Sequence, residues 1–140
     1  MKRDPRLHGL SSDHHHALVL AHRLAQRVAE GSADAEVARR FAEDFAREIA
    51  PHFEIEEEVL LPALRAVGEV GLAQRTETEH AELRALVAVA RTGGCEELGR
   101  LAQRLREHVR FEERELFPVC EAKLPDAVLA AVASRAPHGR

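Results

Sequence analysis

The chain has 140 residues, of which 45% are hydrophobic and 31% charged, and it contains no Trp or Tyr. This length suits one domain covering residues 1–140, and the composition is typical of a soluble helical protein. The net charge is −4 and the 20 basic residues are scattered among 24 acidic ones, so no basic stripe is available for nucleic acid. No apolar run reaches the ~18 residues of a membrane span, and the N-terminus lacks the apolar region of a signal peptide. We therefore expect a cytoplasmic protein that binds neither nucleic acid nor membrane.

The two cysteines are not arranged as a motif. Cys95 and Cys120 are far apart in the sequence and form no CxxC pair. This spacing argues against a zinc knuckle and against a dithiol redox motif, so both thiols are expected to be reduced.

Hydrophobic period and punctuation by Gly, Pro and capping residues predict the helices in chain order. The first follows the capping cluster Ser11-Ser12-Asp13 and ends at Gly31, with an apolar stripe of Ala17, Leu18, Leu20, Ala21, Leu24 and Val28. The second covers about 34–66, with a kink expected at Pro51 and a bend or end expected at Pro62. The third covers about 72–91. The fourth covers about 96–123, with a bend or end expected at Pro118 as at Pro62, and it stops at Pro125.

Short Gly-containing connections make consecutive helices antiparallel neighbours. The sequence therefore predicts an all-α fold, namely an up-down-up-down antiparallel four-helix bundle. The apolar segment 127–132 is expected to add a short C-terminal fifth helix, and the last residues, which include His138, are expected to fray.

A repeated motif lies on the second and fourth predicted helices. HFEIEEEVLLP covers residues 52–62 and HVRFEERELFP covers residues 108–118, a period of 108 − 52 = 56 residues. At ~100° per residue, His52 and Glu56 share the core stripe of Phe45, Ile49 and Val59. In the same way, His108 and Glu112 share the stripe of Leu101, Leu105, Leu116 and Val119. Glu57 and Glu113 fall on the flank of this stripe.

Buried carboxylates need a compensating charge. Glu56 and Glu112 would repel each other in a core, and a divalent cation, or a pair of cations, removes this cost. The alternative for each pair alone is a solvated i,i+4 His–Glu contact on an exposed helix face. The repeat and the inward phase of both pairs favour the metal site.

The first and third helices are expected to complete this site with imidazoles. His80 begins the core stripe of the third helix, and His14 has the same offsets to apolar residues on the first helix. His15 lies on the flank and could still reach the site, whereas His16 shares a face with Arg23 and Arg27. His8 and His22 are expected on the surface or around the site.

The predicted metal ligands are thus His14, His15, His52, Glu56, His80, His108 and Glu112. Four imidazoles and two carboxylates from four helices would hold two metal ions bridged by the carboxylates. Such ligands suit non-haem iron and also accept manganese or zinc. Without thiolates in the set, a closed structural zinc site is disfavoured.

Four motifs together resemble the hemerythrin-type, His-His-Glu (HHE) cation-binding domain. They are DHHHAL, PHFEIEE, EHAELR and HVRFEERELFP, and the resemblance covers about residues 10–123. It implies a four-helix bundle around an oxo- or hydroxo-bridged di-iron centre that binds dioxygen or nitric oxide. Members of the family serve in oxygen storage, gas sensing, peroxide handling and iron-centre repair. By position, His52 and Glu56 match the ligand pair of the second helix, and His108 with Glu112 or Glu113 matches that of the fourth.

The third helix departs from the family pattern. Hemerythrins proper have two His four residues apart there, whereas Thr76 and Arg84 flank His80 at this spacing. The site resembles the six-ligand version in proteins associated with the repair of iron centres, although their N-terminal cysteine-containing segment is missing. This departure favours redox chemistry with small oxidants or nitric oxide over reversible oxygen carriage.

The expected function is therefore binding of O2, NO or peroxide at a di-iron centre. One alternative is an enzyme that uses the same centre to reduce peroxide or NO or to repair iron centres, with Glu57 or Glu113 as a proton relay. The other alternative is a structural or partner-binding bundle with a single adventitious metal.

Overall fold

The computed structural model describes residues 2–136, which contain helices and connections and no strand. His138 and the frayed end expected there lie outside the described residues. After a 3-10 turn at Pro5–Leu7, the α-helices are α1 (His8–Ala29), α2 (Ala35–Glu48), α3 (Ala50–Ile55), α4 (Leu61–Ala66), α5 (Val70–Arg91), α6 (Leu98–Phe111), α7 (Phe117–Lys123) and α8 (Asp126–Arg135). Two π-helical turns, Glu56–Leu60 and Glu112–Leu116, join α3 to α4 and α6 to α7.

The helices pack as a bundle with two hydrophobic clusters. α1 packs along α6 and α2 along α5, and α8 covers the 3-10 turn and the first π turn. One cluster contains Leu24, Phe41 and Leu105, and the other contains Leu10 and Phe117. Among residues 2–136, no helix combines the length and the hydropathy that a membrane crossing requires.

The first helix begins earlier than the sequence analysis predicted. α1 starts at His8, and the side chain of Asp4 caps the preceding turn by accepting a hydrogen bond from the Arg6 amide. The prediction that Asp13 belongs to an N-terminal capping cluster is wrong, because Asp13 lies inside α1. Its carboxylate lies 3.2 Å from Nδ1 of His52 instead.

The second and fourth helical segments are interrupted where prolines predict it, but they do not end there. A break at Ile49 separates α2 from α3, two residues before Pro51. Pro62 and Pro118 each follow a π turn, in which the Leu61 and Phe117 amides donate to carbonyls five residues earlier. Because proline has no amide proton and its ring crowds the preceding turn, the wider π turn lets the helix continue through it.

Each π turn adds a residue to the helical repeat and shifts the buried face. Val59 and Val119, which the α-helical period predicts to be buried, are only partly buried. Leu60 and Cys120, one position further on, are fully buried. Leu18 and Val28 on α1 were also predicted to face inward and are 37% and 38% exposed.

Candidate metal centre

Four imidazoles and two carboxylates meet where the two hydrophobic clusters adjoin. The carboxylates are Glu56 and Glu112, both fully buried, and the imidazoles are no more than 4% exposed. Their donor atoms form two groups that could each hold a metal ion: His14, His52, Glu56 and Glu112 in one, and Glu56, His80, His108 and Glu112 in the other. The two Glu residues belong to both groups, so the arrangement has the form of a carboxylate-bridged pair of sites.

Glu112 is the centre of this cluster. Its Oε1 lies 2.6 Å from His14 Nε2 and 3.2 Å from His52 Nε2, and its Oε2 lies 3.0 Å from His108 Nε2 and 3.7 Å from His80 Nε2. Glu56 reaches across in the same way, at 2.9 Å from His52 Nε2 and 3.0 Å from His80 Nε2. All four Nε2 atoms therefore point to the shared carboxylates.

The opposite nitrogen of each imidazole lies against a second carboxylate from another helical segment. These four outer carboxylates are Glu113 for His14 (2.6 Å), Asp13 for His52 (3.2 Å), Glu57 for His80 (2.6 Å) and Glu79 for His108 (2.7 Å). An N–H at Nδ1 that donates to a carboxylate fixes the tautomer and leaves the Nε2 lone pair for a cation. The arrangement is that of carboxylate–histidine–metal triads.

Two of the outer carboxylates lie where the sequence pattern predicts them, and two do not. Glu57 and Glu113 were predicted on the flank, where they are found. Asp13 was misassigned as a cap, and Glu79 was not considered. The signal that could have identified them is an acidic residue directly before His14 and before His80, each of which turns towards the imidazole of a neighbouring helix.

Not every predicted ligand joins the cluster. His15 is exposed, and its ring packs edge-on against that of His16 at 5.9 Å. The reason is the ~100° rotation per residue, which turns His15 away once His14 points inward. His22 is also exposed, and His8 Nε2 lies 3.1 Å from the carbonyl of Arg3.

The electrostatics of the cluster favour charged side chains. Burial opposes the positive charge on His80 and His108, but Glu112 and Glu56, joined by Glu79 at His108, outweigh it and raise the pKa of His80 to about 9 and that of His108 to about 10. The pKa values of His14 and His52 are raised in the same way. Burial likewise opposes the charge on Glu112, yet His108, His14 and His52 hold the pKa of this carboxyl well below its usual range.

A cation fits this donor set better than hydrogen bonds alone do. Both oxygens of Glu56, one oxygen of Glu112 and the Nε2 atoms of His80 and His108 are buried without a hydrogen-bond partner of acceptable geometry. Two ligand atoms at right angles, each ~2.1 Å from one ion, are about 3.0 Å apart. Three of the six separations between Nε2 atoms and carboxylate oxygens, at 2.9 to 3.0 Å, match that value, and the other three range from 2.6 to 3.7 Å.

The metal-free protein is expected to lose stability as the pH rises from about 6.5 to about 10. Because the folded-state pKa values of His80 and His108 lie above the ordinary value of 6.5, their ion pairs stabilise the fold fully below pH 6.5. This contribution is lost as each imidazole gives up its proton. Urea unfolding of the metal-free protein between pH 6 and pH 10 measures the effect.

The metal-loaded protein is the control for this pH dependence. A cation that replaces the protons on Nε2 removes the titration, so the loaded protein should not show the decline. A metal-free protein whose stability is constant over this range would contradict the prediction.

Comparison with known proteins agrees with the geometry. Searches of curated proteins and of solved structures found no significant match. The model of one family, described as the hemerythrin HHE cation binding domain, matches residues 6–120. This range contains both His-xxx-Glu pairs and all six side chains of the cluster. The chain therefore belongs to the hemerythrin family of HHE domains, which bind metal cations, and its buried His and Glu cluster fits such a site.

Proposed function

We propose that this protein holds two non-haem iron ions and binds a small molecule, O2, NO or peroxide, at this pair. The fold we propose is the up-down-up-down four-helix bundle, formed by α1, the α2–α4 segment, α5 and the α6–α7 segment, with α8 as the fifth helix. Support comes from the two donor groups that share Glu56 and Glu112. Two carboxylates common to both groups are the ligands expected of a bridged pair of ions.

The donor types favour iron. Each ion would receive two imidazole nitrogens and one oxygen from each shared carboxylate. Mixed imidazole and carboxylate ligation suits iron and accepts manganese or zinc, and four protein donors leave positions open on an ion that prefers ~six. Iron in such a site supplies reversible binding and one-electron chemistry towards small oxidants.

The protein side chains supply orientation and protection from water. The outer carboxylates contact the Nδ1 atoms of the imidazoles, while Phe53 and Phe117 stack on His80 and His14, respectively. Glu57 and Glu113 are 28% and 33% exposed, so they connect buried imidazoles to solvent. These two carboxylates could pass protons between solvent and Nδ1 if the protein reduces its ligand.

The size of the internal cavity carries the proposal that the ligand is small. A cavity of about 10 Å³ adjoins His14, His52 and Glu112, and its apolar wall is formed by Ala17, Ile49 and Phe53. This volume corresponds to roughly one water-sized molecule. It leaves no room for an organic substrate, which restricts the ligand to molecules of very few atoms.

The test combines metal analysis with ligand binding. Anaerobically purified protein is expected to contain about two irons per chain, and the ferrous form is expected to bind NO and O2. Ala17→Leu should fill the cavity and weaken NO binding about tenfold or more while the iron is retained. Ile49→Val should enlarge the cavity and speed NO binding.

Ala88→Leu is the matched control, because Ala88 is exposed on α5 and away from the cavity. Equal NO binding by Ala17→Leu, Ala88→Leu and the unmodified protein would place the ligand elsewhere.

Steady turnover of peroxide or NO would make the protein an enzyme. A stable, colourless protein without metal would leave only a structural bundle.

A further inference from the structure

His80 is held in a closed loop of four side chains. Arg84 donates from Nη1 and Nη2 to the two oxygens of Glu57, at 2.6 Å and 3.0 Å. Glu57 lies 2.6 Å from Nδ1 of His80. Phe53 stacks on the His80 ring at 3.8 Å with an interplanar angle of 9°, and the Arg84 guanidinium lies 5.6 Å from the centre of the same Phe53 ring. The arginine therefore contacts both side chains that hold the imidazole.

The same loop surrounds His14. Arg3 Nη2 lies 3.2 Å from Glu113 Oε1 and donates to the Glu113 carbonyl, and Glu113 Oε2 lies 2.6 Å from Nδ1 of His14. Phe117 stacks on His14 at 5.1 Å with an interplanar angle of 10°. The Arg3 guanidinium lies 5.5 Å from the Phe117 ring centre.

His108 has a third loop. Arg75 Nε donates to Glu79 at 2.9 Å, and the other oxygen of Glu79 lies 2.7 Å from Nδ1 of His108. The Arg75 guanidinium covers the Phe111 ring at 3.9 Å, and Phe111 is tilted against His108 at 6.2 Å.

These loops are not a by-product of local helix geometry. The Arg75–Glu79 pair is an i,i+4 pair within α5, but the Arg84–Glu57 and Arg3–Glu113 pairs join parts of the chain 27 and 110 residues apart. Exposed ion pairs contribute little to stability, roughly 0–1 kcal/mol. Recurrence of one contact pattern around three metal-ligand candidates therefore needs another explanation.

We infer that Arg3, Arg75 and Arg84 are positioning residues of the metal site. Each guanidinium anchors an outer carboxylate that would otherwise rotate into solvent, and it also covers the aromatic ring beside the imidazole. The carboxylate and the ring fix the orientation of the imidazole, so that Nε2 stays directed at the shared carboxylates. This inference rests on the cation site of the proposed function and does not depend on which small ligand binds there.

Arg84→Gln is the sharpest test, because Arg84 reaches Glu57 with two hydrogen bonds. With Co²⁺ as the probe, the variant should release the metal to a chelator about tenfold faster than the unmodified protein. This factor is at the lower end of the ~10–100-fold cost of losing an outer partner, since the carboxylate itself remains. Arg84→Lys, which keeps the charge and one donor, should restore part of the slow release.

A second measurement needs no metal. In the metal-free protein, the Nδ1 proton of His80 should exchange with water faster in Arg84→Gln than in the unmodified protein, while that of His14 should not change. Nuclear magnetic resonance of labelled imidazoles resolves the two. The proton-exchange measurement tests the inference even if the protein fails to bind Co²⁺. Failure to bind Co²⁺ would count only against the proposed metal site.

Arg100→Gln is the matched control. Arg100 is 52% exposed, against 42% for Arg84, and its ion pair with Glu82 at 3.1 Å does not involve an imidazole. If Arg84→Gln and Arg100→Gln give the same proton exchange and the same metal release, Arg84 is an ordinary surface cation and the inference is overturned.

Discussion

Glu112→Gln is expected to remove metal from both halves of the site. The two oxygens of Glu112 face the Nε2 atoms of all four imidazoles, and both donor groups include this side chain. Glutamine has the same shape but offers a single neutral oxygen and an amide that repels a cation. We expect affinity to fall by more than ~100-fold, since losing an outer partner alone costs about 10–100-fold. Metal analysis and Co²⁺ titration measure the loss.

The metal-free form of the same variant is expected to be less stable near neutral pH. Without the carboxylate of Glu112, which does most to raise the pKa of His108, the buried imidazoles hold their protons less strongly. Removing one partner of a buried ion pair costs about 3–5 kcal/mol, and urea unfolding at pH 7 resolves a change of this size.

Glu107→Gln provides the control for Glu112→Gln. Glu107 precedes His108 on α6, but its side chain is 46% exposed and pairs with Arg104. The Glu107→Gln variant should therefore bind metal and resist urea as the unmodified protein does. Retention of both ions by Glu112→Gln would mean that Glu112 is not a ligand, and loss of one ion would mean that it serves only one half of the site.

The helices and the six side chains of the central cluster could be predicted because both depend on local pattern. Gly31, Gly68 and Gly93 have positive φ angles at helix ends, where the sequence analysis expected breaks. The two His-xxx-Glu pairs could be predicted to face the core because each π turn begins only at the Glu of its pair. Up to that residue, the ordinary α-helical period still holds.

The parts that were missed depend on non-local contacts or on irregular backbone. The burial of Cys120 in place of Val119 follows from a π turn, which a period of 3.6 residues does not describe. The role of Asp13 follows from a contact with His52, 39 residues away, so local capping statistics assign it incorrectly.

Phe53→Ala is expected to lower the free energy of unfolding about as much as Glu112→Gln does, but through lost packing and not through a lost ion pair. Phe53 is 1% exposed, belongs to the hydrophobic cluster of Leu24 and Phe41, and stacks on His80. It also meets the rings of Phe45 and His108 edge-on, at 5.5 Å and 5.4 Å. Truncation of such a ring costs about 3–5 kcal/mol. Because the same ring supports His80, metal release should also become faster.

Phe53→Leu separates packing from imidazole support. Leucine fills much of the space and should recover most of the stability, but it has no flat ring to stack on His80. Phe41→Leu makes the same change at a buried ring of the same cluster, whose aromatic neighbour is Phe45 at 6.5 Å. We expect the two leucine variants to unfold at similar urea concentrations and only Phe53→Leu to release Co²⁺ faster. Equal release rates would mean that hydrophobic packing alone positions His80, and that the stacked ring adds nothing to the metal site.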